Sequence, residues 1–120
     1  MQSTVLNISD PSQLWKTVDG KLENKEKGKS SKKWNLISPN STLGQYYIEE
    51  DTTSLVLQAA SGDDVKPTSK SSIPVARQLW RKGNTTVDGY FTLENSDFSR
   101  FLTAVDMTTD TFKISGEISF

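Results

Sequence analysis

The feature that most constrains the fold of this chain is an internal repeat of short motifs. Three tripeptides occur twice in the same order: Gln13-Leu14-Trp15 recurs as Gln78-Leu79-Trp80, Val18-Asp19-Gly20 as Val87-Asp88-Gly89, and Leu22-Glu23-Asn24 as Leu93-Glu94-Asn95. A fainter third copy lies between them, where Trp34 precedes Gly44 and then Ile48-Glu49-Glu50. All three tryptophans therefore head equivalent units. Units this short cannot bury an apolar face alone, so we expect three of them to pack around a shared core.

The apolar residues within each unit follow the pattern of β-strands. Phe112, Ile114, Ile118 and Phe120 alternate with polar residues along one strand, with a bulge at Gly116. Short runs rich in aromatic and β-branched residues predict further strands at 46–48, 55–59, 90–93 and 101–105. Asp-Gly and Gly-Asp pairs between the runs indicate turns, and no window sustains an amphipathic helix. We predict an all-β structure that is closed or nearly closed.

Composition limits both size and chemistry. A chain of 120 residues that is 33% hydrophobic suits one domain, which we take as 1–120. It contains no cysteine and no histidine, so the usual nucleophile and base couples cannot form, and we expect no catalysis, no cofactor and no metal site. The net charge of −1 argues against nucleic-acid binding. The start lacks the pattern of a signal peptide and no segment reaches the length of a membrane span, so we expect no membrane insertion. The localisation stays open, with the cytoplasm favoured.

Three polar segments have structural interpretations. Half of the 14 basic residues lie between Lys16 and Lys33, which predicts a solvated hairpin or loop; phosphate or heparin-like ligands are the functional alternative. The run Glu49-Glu50-Asp51 predicts a solvated strand end, because adjacent strand residues point to opposite faces and cannot converge on one substrate. The stretch from Pro67 to Pro74 predicts a loop, since proline cannot serve a central ladder.

The units resemble those of ricin B-chain-like, or R-type, β-trefoil lectins. In that family each unit closes with a Gln-any-Trp motif, which Gln13-Leu14-Trp15 and Gln78-Leu79-Trp80 match. The resemblance spans nearly the whole chain and implies a β-trefoil with pseudo-threefold repeats. It also implies that Trp15, Trp34 and Trp80 fill the shared interior, and that Gln13, Gln78, Asn24 and Asn95 fix turns by side-chain hydrogen bonds.

One lobe of such a trefoil would be shortened. Only nine residues separate Asn24 from Trp34, against 29 between Glu50 and Trp80, so the first unit lacks its second and third strands. The last unit runs to Phe120, while residues 1–15 have the character of a unit's end. If the ends meet, the N-terminal segment completes the unit that the C-terminal strand begins. The alternative is a fragment, or a homodimer formed by strand exchange.

The resemblance implies a sugar site that depends on an aspartate just after the second strand of a unit and on an aromatic platform. At the matching positions this chain has Gln58 and Thr103 instead. The candidate ligand-binding residues are therefore the later carboxylates and the tyrosines suited to half-wet stacking: Asp63, Asp64, Asp106, Tyr47 and Tyr90. Because Tyr46 and Tyr47 are adjacent on a strand, at least one of them must face inward.

Three functions remain open at this point. The first is a carbohydrate-binding module of the R-type lectin kind with a glycan ligand. The second is a cytoplasmic protein-interaction or scaffold trefoil that resembles fascin, whose strands carry runs like Leu102-Thr103-Ala104. The third is protease inhibition through an exposed loop such as 66–73.

Overall fold

A computed structural model describes residues 10–39, 44–87 and 89–116, and these form an all-β protein, as predicted. Two one-turn 3₁₀ helices, Pro11–Gln13 and Ala76–Gln78, precede the two Gln-Leu-Trp tryptophans. The strands are β1 (Trp15–Val18), β2 (Lys21–Asn24), β3 (Gly28–Ile37), β4 (Gln45–Glu50), β5 (Val56–Ala59), β6 (Val65–Thr68), β7 (Trp80–Asn84), β8 (Phe91–Asn95), β9 (Phe101–Asp106) and β10 (Thr111–Ser115). The end of the predicted last strand, 117–120, lies outside the described residues.

Six of these strands close into a ring of antiparallel pairs. The order around the ring is β1, β2, β3, β4, β7, β8 and back to β1. Two hairpins, β5–β6 and β9–β10, extend from β4 and β8. Closure removes the free edges that an open sheet of these strands would present to solvent. The prediction of a closed structure is therefore confirmed within the described part of the chain.

The three tryptophans occupy the same register position and share one core. Trp15 lies opposite Asn24, Trp34 opposite Glu50 and Trp80 opposite Asn95. All three are buried in a cluster with Leu22, Ile48 and Leu93, the apolar residues two positions before those partners. The prediction that the tryptophans form the core is confirmed. The three indoles are also the largest fully buried side chains in the part of the chain that the structure describes.

The residue opposite each tryptophan clamps the turn that follows it. The amide nitrogen of Asn24 donates to the carbonyls of Ser12 and Leu14, while its oxygen accepts from the backbone N–H groups of Glu26 and Lys27. Asn95 makes the same four bonds one unit later, to the carbonyls of Arg77 and Leu79 and from Asp97 and Phe98. The predicted turn-fixing role of both asparagines is confirmed.

Glu50 takes the third clamp position, which corrects the prediction of a solvated strand end. It is 4% exposed, and its carboxylate accepts hydrogen bonds from the backbone N–H groups of Thr52 and Thr53 and from the Thr53 hydroxyl. A carboxylate, unlike an asparagine, cannot donate back to the preceding strand, but it accepts strongly. Hydrogen bonding, first from the Thr52 backbone N–H, lowers the pKa of Glu50 below its usual 4.5.

This lowered pKa makes a prediction for stability at acid pH. Because the folded state binds the Glu50 proton less readily than the unfolded state, the stabilisation is present at neutral pH and is lost as pH falls below about 4.5 towards the folded pKa. We expect Glu50→Gln to be less stable than the wild type at about pH 7, with the difference shrinking by about pH 3. Urea unfolding at both pH values measures it, with exposed Glu26→Gln as the control. A constant difference would contradict the role of the Glu50 charge.

The first unit is shortened, and a residue from another unit compensates. β2 passes into β3 through the turn 25–27, where the other two units carry a hairpin. The indole N–H groups of Trp15 and Trp80 donate to strand carbonyls of those hairpins, Leu102 at 3.0 Å and Leu57 at 3.1 Å. The Trp34 indole has no such strand and donates to the carboxylate of Asp110 at 3.2 Å. Asp110 also accepts from the backbone N–H groups of Ser31 and Lys32.

The two ends of the described chain meet in one unit. The Gln13 side chain donates to the carbonyl of Ser115 at 3.0 Å, as Gln78 donates to the carbonyl of Ser69 at 3.0 Å. The 3₁₀ helix Pro11–Gln13 thus lies next to the end of β10, in the same way as the 3₁₀ helix Ala76–Gln78 lies next to the end of β6. The second pair is also consecutive along the chain, whereas the first pair is not. This is the arrangement expected if the ends meet, and the predicted turn-fixing role of both glutamines is confirmed.

The stretch that begins at Pro67 is only partly a loop. Pro67 and Thr68 belong to β6, which pairs with β5 through Leu57 opposite Pro67. The loop prediction is wrong for these two residues because β6 is the end strand of its sheet, where a proline costs no ladder hydrogen bond on the open side.

Candidate functional site

A polar cleft of about 280 Å³ opens where the two ends of the described chain meet. Its lining comes from four separate segments: Asp10 and Ser12, Glu26 and Lys27, Thr103 to Val105, and Lys113 with Ser115. The volume is close to the lower bound of about 300 Å³ for small-ligand sites. We refer to these residues as the polar cleft.

Hydrogen bonds within the polar cleft fix its floor. The Gln13 amide donates to the hydroxyls of Thr103 and Ser115, both at 3.3 Å, and these hydroxyls lie 2.9 Å apart. Asp10 accepts from the backbone N–H and the hydroxyl of Ser12, which holds its carboxylate at the start of the 3₁₀ helix. A site whose polar groups are held by such partners costs less entropy to occupy.

The charges of the polar cleft are balanced. Asp10 and Glu26 supply carboxylates and Lys27 and Lys113 supply ammonium groups, so the lining offers acceptors and donors without a dominant sign. Val105 adds an apolar surface, because 45% of it is exposed. A ligand that carries many hydroxyl groups, each of which both donates and accepts, suits such a lining better than an ion of either sign.

The corresponding place in the neighbouring unit carries different side chains. The register of the tryptophans and asparagines makes Ser12 equivalent to Arg77, Glu26 to Asp97 and Lys27 to Phe98. The Arg77 guanidinium lies 5.6 Å from the centre of the Phe98 ring and its Nε donates to Asp97 at 3.2 Å. These side chains interact with one another, so the two positions differ in chemistry.

Gln58 and Thr103 serve the fold directly. Gln58 accepts a hydrogen bond from the Gln78 side chain at 2.9 Å, as Thr103 accepts from Gln13. Each of the two residues thus binds the glutamine of a Gln-Leu-Trp motif. Their hydrogen-bonding capacity is therefore already partly used inside the protein.

The three predicted aspartates lie around the polar cleft and not among its lining residues. Asp106 follows Val105 and accepts hydrogen bonds from the backbone N–H and the hydroxyl of Thr108. The bond from the hydroxyl is the main cause that lowers the pKa of Asp106, and the nearby Lys27 charge has a smaller effect in the same direction. Asp63 and Asp64 lie in the exposed β5–β6 turn, where the Asp63 carbonyl accepts from the Ile114 backbone N–H and Asp64 forms a bridge with Lys113. Their carboxylates are exposed and remain candidates.

The two predicted tyrosines lie elsewhere. Tyr47 is 5% exposed, packs with Val56 and Leu79 in a small second cluster, and has the Lys70 ammonium 4.9 Å from its ring centre. The prediction that Tyr47 offers an exposed stacking surface is therefore wrong, because this second cluster covers the ring on the face of β4 opposite Ile48. Tyr46 is half-buried. Tyr90 is half-buried.

Two lysine ammonium groups lie close to the ring of Tyr90. The ammonium groups of Lys16 and Lys25 lie 5.1 and 5.2 Å from its ring centre. Lys16 also pairs with Glu23 at 3.3 Å, and this hydrogen bond is the main cause that raises the pKa of Lys16. The Tyr90 ring does not line the polar cleft.

Sequence reasoning missed most of the polar cleft. The sequence predicts no ligand site at Asp10 or Lys113, and it places Glu26 and Lys27 in the basic segment interpreted as a solvated hairpin or loop. These residues are far apart in sequence, and each is an ordinary surface residue type. One signal in the sequence points to the polar cleft. Thr103 matches the position of the site aspartate in the family that the chain resembles, and the Gln13-Leu14-Trp15 motif marks the N-terminal segment as a neighbour of Thr103.

The described ranges 10–39, 44–87 and 89–116 contain no group of three or more acidic side chains placed to hold a metal ion. They also contain no helix with the length and apolar character needed to cross a membrane.

Comparison with known proteins adds no relative. No family model, no curated protein and no solved structure matches this chain.

Proposed function

We propose that this protein is a non-catalytic carbohydrate-binding module, that its fold is a β-trefoil with one shortened lobe, and that the polar cleft is its ligand site. The closed ring of six strands, the common register of Trp15, Trp34 and Trp80 and the repeated turn clamps support the trefoil. A trefoil hosts many functions, so the ligand must be argued from the site.

The observation that carries the ligand proposal is the balanced, preorganised lining of the polar cleft. Thr103 occupies the position where R-type lectins have their sugar-binding aspartate, and Asp10 and Glu26 bring carboxylates to the same cleft from other segments. Carboxylates and ammonium groups in equal number match the alternating donors and acceptors of a neutral sugar. Val105 supplies a small apolar contact in place of an aromatic platform.

The test is binding of a panel of neutral monosaccharides, followed by amide correlation spectra. Because the cleft is small and open, we expect a dissociation constant on the order of 1 mM. The amide signals of Glu26, Lys27 and Ser115 should shift saturably. Glu26→Gln and Lys27→Gln should each weaken binding about tenfold, since each removes a charged hydrogen-bond partner.

The matched control is Asp63→Asn, which removes a charge from a different exposed turn. It should bind the sugars as tightly as the wild type. Binding lost in Asp63→Asn but kept in Glu26→Gln would move the site to the β5–β6 turn. No saturable shift with any sugar on the panel would overturn the carbohydrate proposal.

One observation favours the alternative of a protein-interaction module. The loop between β6 and the second 3₁₀ helix exposes Ile73 by 74% and Val75 by 39%, and exposed apolar residues of this kind mark contact surfaces. A protein partner captured by the wild type, lost in Ile73→Asp and unaffected by free sugar would favour this alternative. The same loop overlaps the segment expected to act in protease inhibition.

A further inference from the structure

A second cleft, of about 610 Å³, gathers half-buried and exposed lysines on the shortened unit. Lys21, Ser31, Lys32, Lys33, Thr52 and Thr53 line it, so three ammonium groups and three hydroxyls face one space. We refer to it as the lysine cleft. It shares no lining residue with the polar cleft, so its function can be tested separately.

Two of its lysines are placed against each other. Lys21 on β2 and Lys33 on β3 are direct cross-strand partners. Like charges in this position repel and destabilise a strand pair. An anion held between them would turn that repulsion into attraction.

Among the described residues, none of Lys21, Lys32 and Lys33 forms an ion pair; the ion pairs present involve Lys16, Lys70, Arg77 and Arg81. Two carboxylates also line the cleft: Glu50 accepts from the backbone of the turn 51–53, and Asp51 accepts from the Asn35 amide at 3.1 Å. Both keep their charge, so three ammonium groups against two carboxylates leave the cleft with an excess of one positive charge.

The geometry points to a binding site for a phosphate or sulfate group in the lysine cleft. Ammonium groups suit the multiple oxygens of such an anion, and the hydroxyls of Ser31 and Thr52 add donors at the rim. The excess of only one positive charge in the cleft suits a single oxyanion group better than a long polyanion. The volume leaves room for a sugar that carries this group.

The experiment is a titration followed by amide correlation spectra at constant ionic strength, with sodium chloride as the reference. The probes are inorganic phosphate, inorganic sulfate, glucose 6-phosphate and glucose 6-sulfate. We expect saturable shifts of the Lys21, Ser31 and Thr52 amides. Tighter binding of the sugar esters identifies a glycan-borne group, and equal affinity identifies the free ion. Melting temperature is a poor readout here, because sulfate stabilises most proteins without binding a site.

The decisive variant is Lys21→Gln/Lys33→Gln, which should bind about tenfold more weakly or worse. The control Lys66→Gln/Lys82→Gln removes the same charge from exposed positions outside the cleft and should keep wild-type affinity. Lys32→Gln is a second, milder variant at an exposed position, and it should also weaken binding. Shifts that do not saturate, equal affinity in the two double variants, or preference for an acidic peptide over all four probes would overturn the proposal.

Discussion

Trp80→Ala is expected to cost about 3–5 kcal/mol of unfolding free energy, a large part of the roughly 5–15 kcal/mol that a domain of this size has. The indole is fully buried in the shared core, and its N–H donates to the Leu57 carbonyl. Truncation leaves a cavity and an unsatisfied carbonyl. We expect the midpoint of thermal unfolding to fall by more than about 10 °C, measured by circular dichroism.

The control for this variant is Val105→Ala, which truncates an exposed apolar side chain and should change stability by about 0.5 kcal/mol or less. Trp15→Ala makes the test sharper. Trp15 has the same register and the same kind of indole hydrogen bond, to Leu102, so its cost should match that of Trp80→Ala. A cost below about 1 kcal/mol at either tryptophan would contradict the shared core.

Asp110→Ala is expected to cost about 2–3 kcal/mol. It removes the acceptor for the buried Trp34 indole and for two backbone N–H groups of β3. Most of the cost comes from the indole, because the exposed backbone groups can bond to water instead. Urea unfolding measures the free energy, and hydrogen exchange of the Trp34 indole proton should become faster than that of Trp15 and Trp80.

Asp106→Ala is the matched control, since Asp106 precedes the same β9–β10 turn and its carboxylate accepts from the backbone N–H and the hydroxyl of Thr108 within that turn. It should cost about 1 kcal/mol or less and leave Trp34 exchange unchanged. Equal effects of the two variants would show that the turn, and not the bridge from Asp110 to β3, sustains the shortened unit.

Local features of this protein could be predicted because local chemistry decides them. Asp19-Gly20 adopts positive φ values of 53° and 78° between β1 and β2, as an Asp-Gly turn requires. Strand alternation placed one of Tyr46 and Tyr47 inward, although not which one. The burial of Glu50 could not be predicted from its acidic run, because only the register with Trp34 shows that it is equivalent to Asn24 and Asn95.

The candidate sites were less predictable, because they too depend on which distant residues the fold brings together. The polar cleft joins residues about a hundred positions apart, such as Ser12 and Ser115, and the lysine cleft joins β2, β3 and the turn after β4. Contacts between distant surface residues leave no periodicity in the sequence. The basic cluster is visible in the sequence, but the convergence of Lys21, Lys32 and Lys33 on one cleft is not.

Hydrophobic periodicity and turn residues act over a few positions, so the repeated units, their strands, the tryptophan core and the missing pair of strands can be predicted from the sequence. The completion of the shortened unit by Asp110, the hydroxyls that each glutamine contacts and the convergence of the lysines become visible only in the folded chain. These depend on the spatial order of the closed ring, in which residues become neighbours through strand pairing and not through sequence.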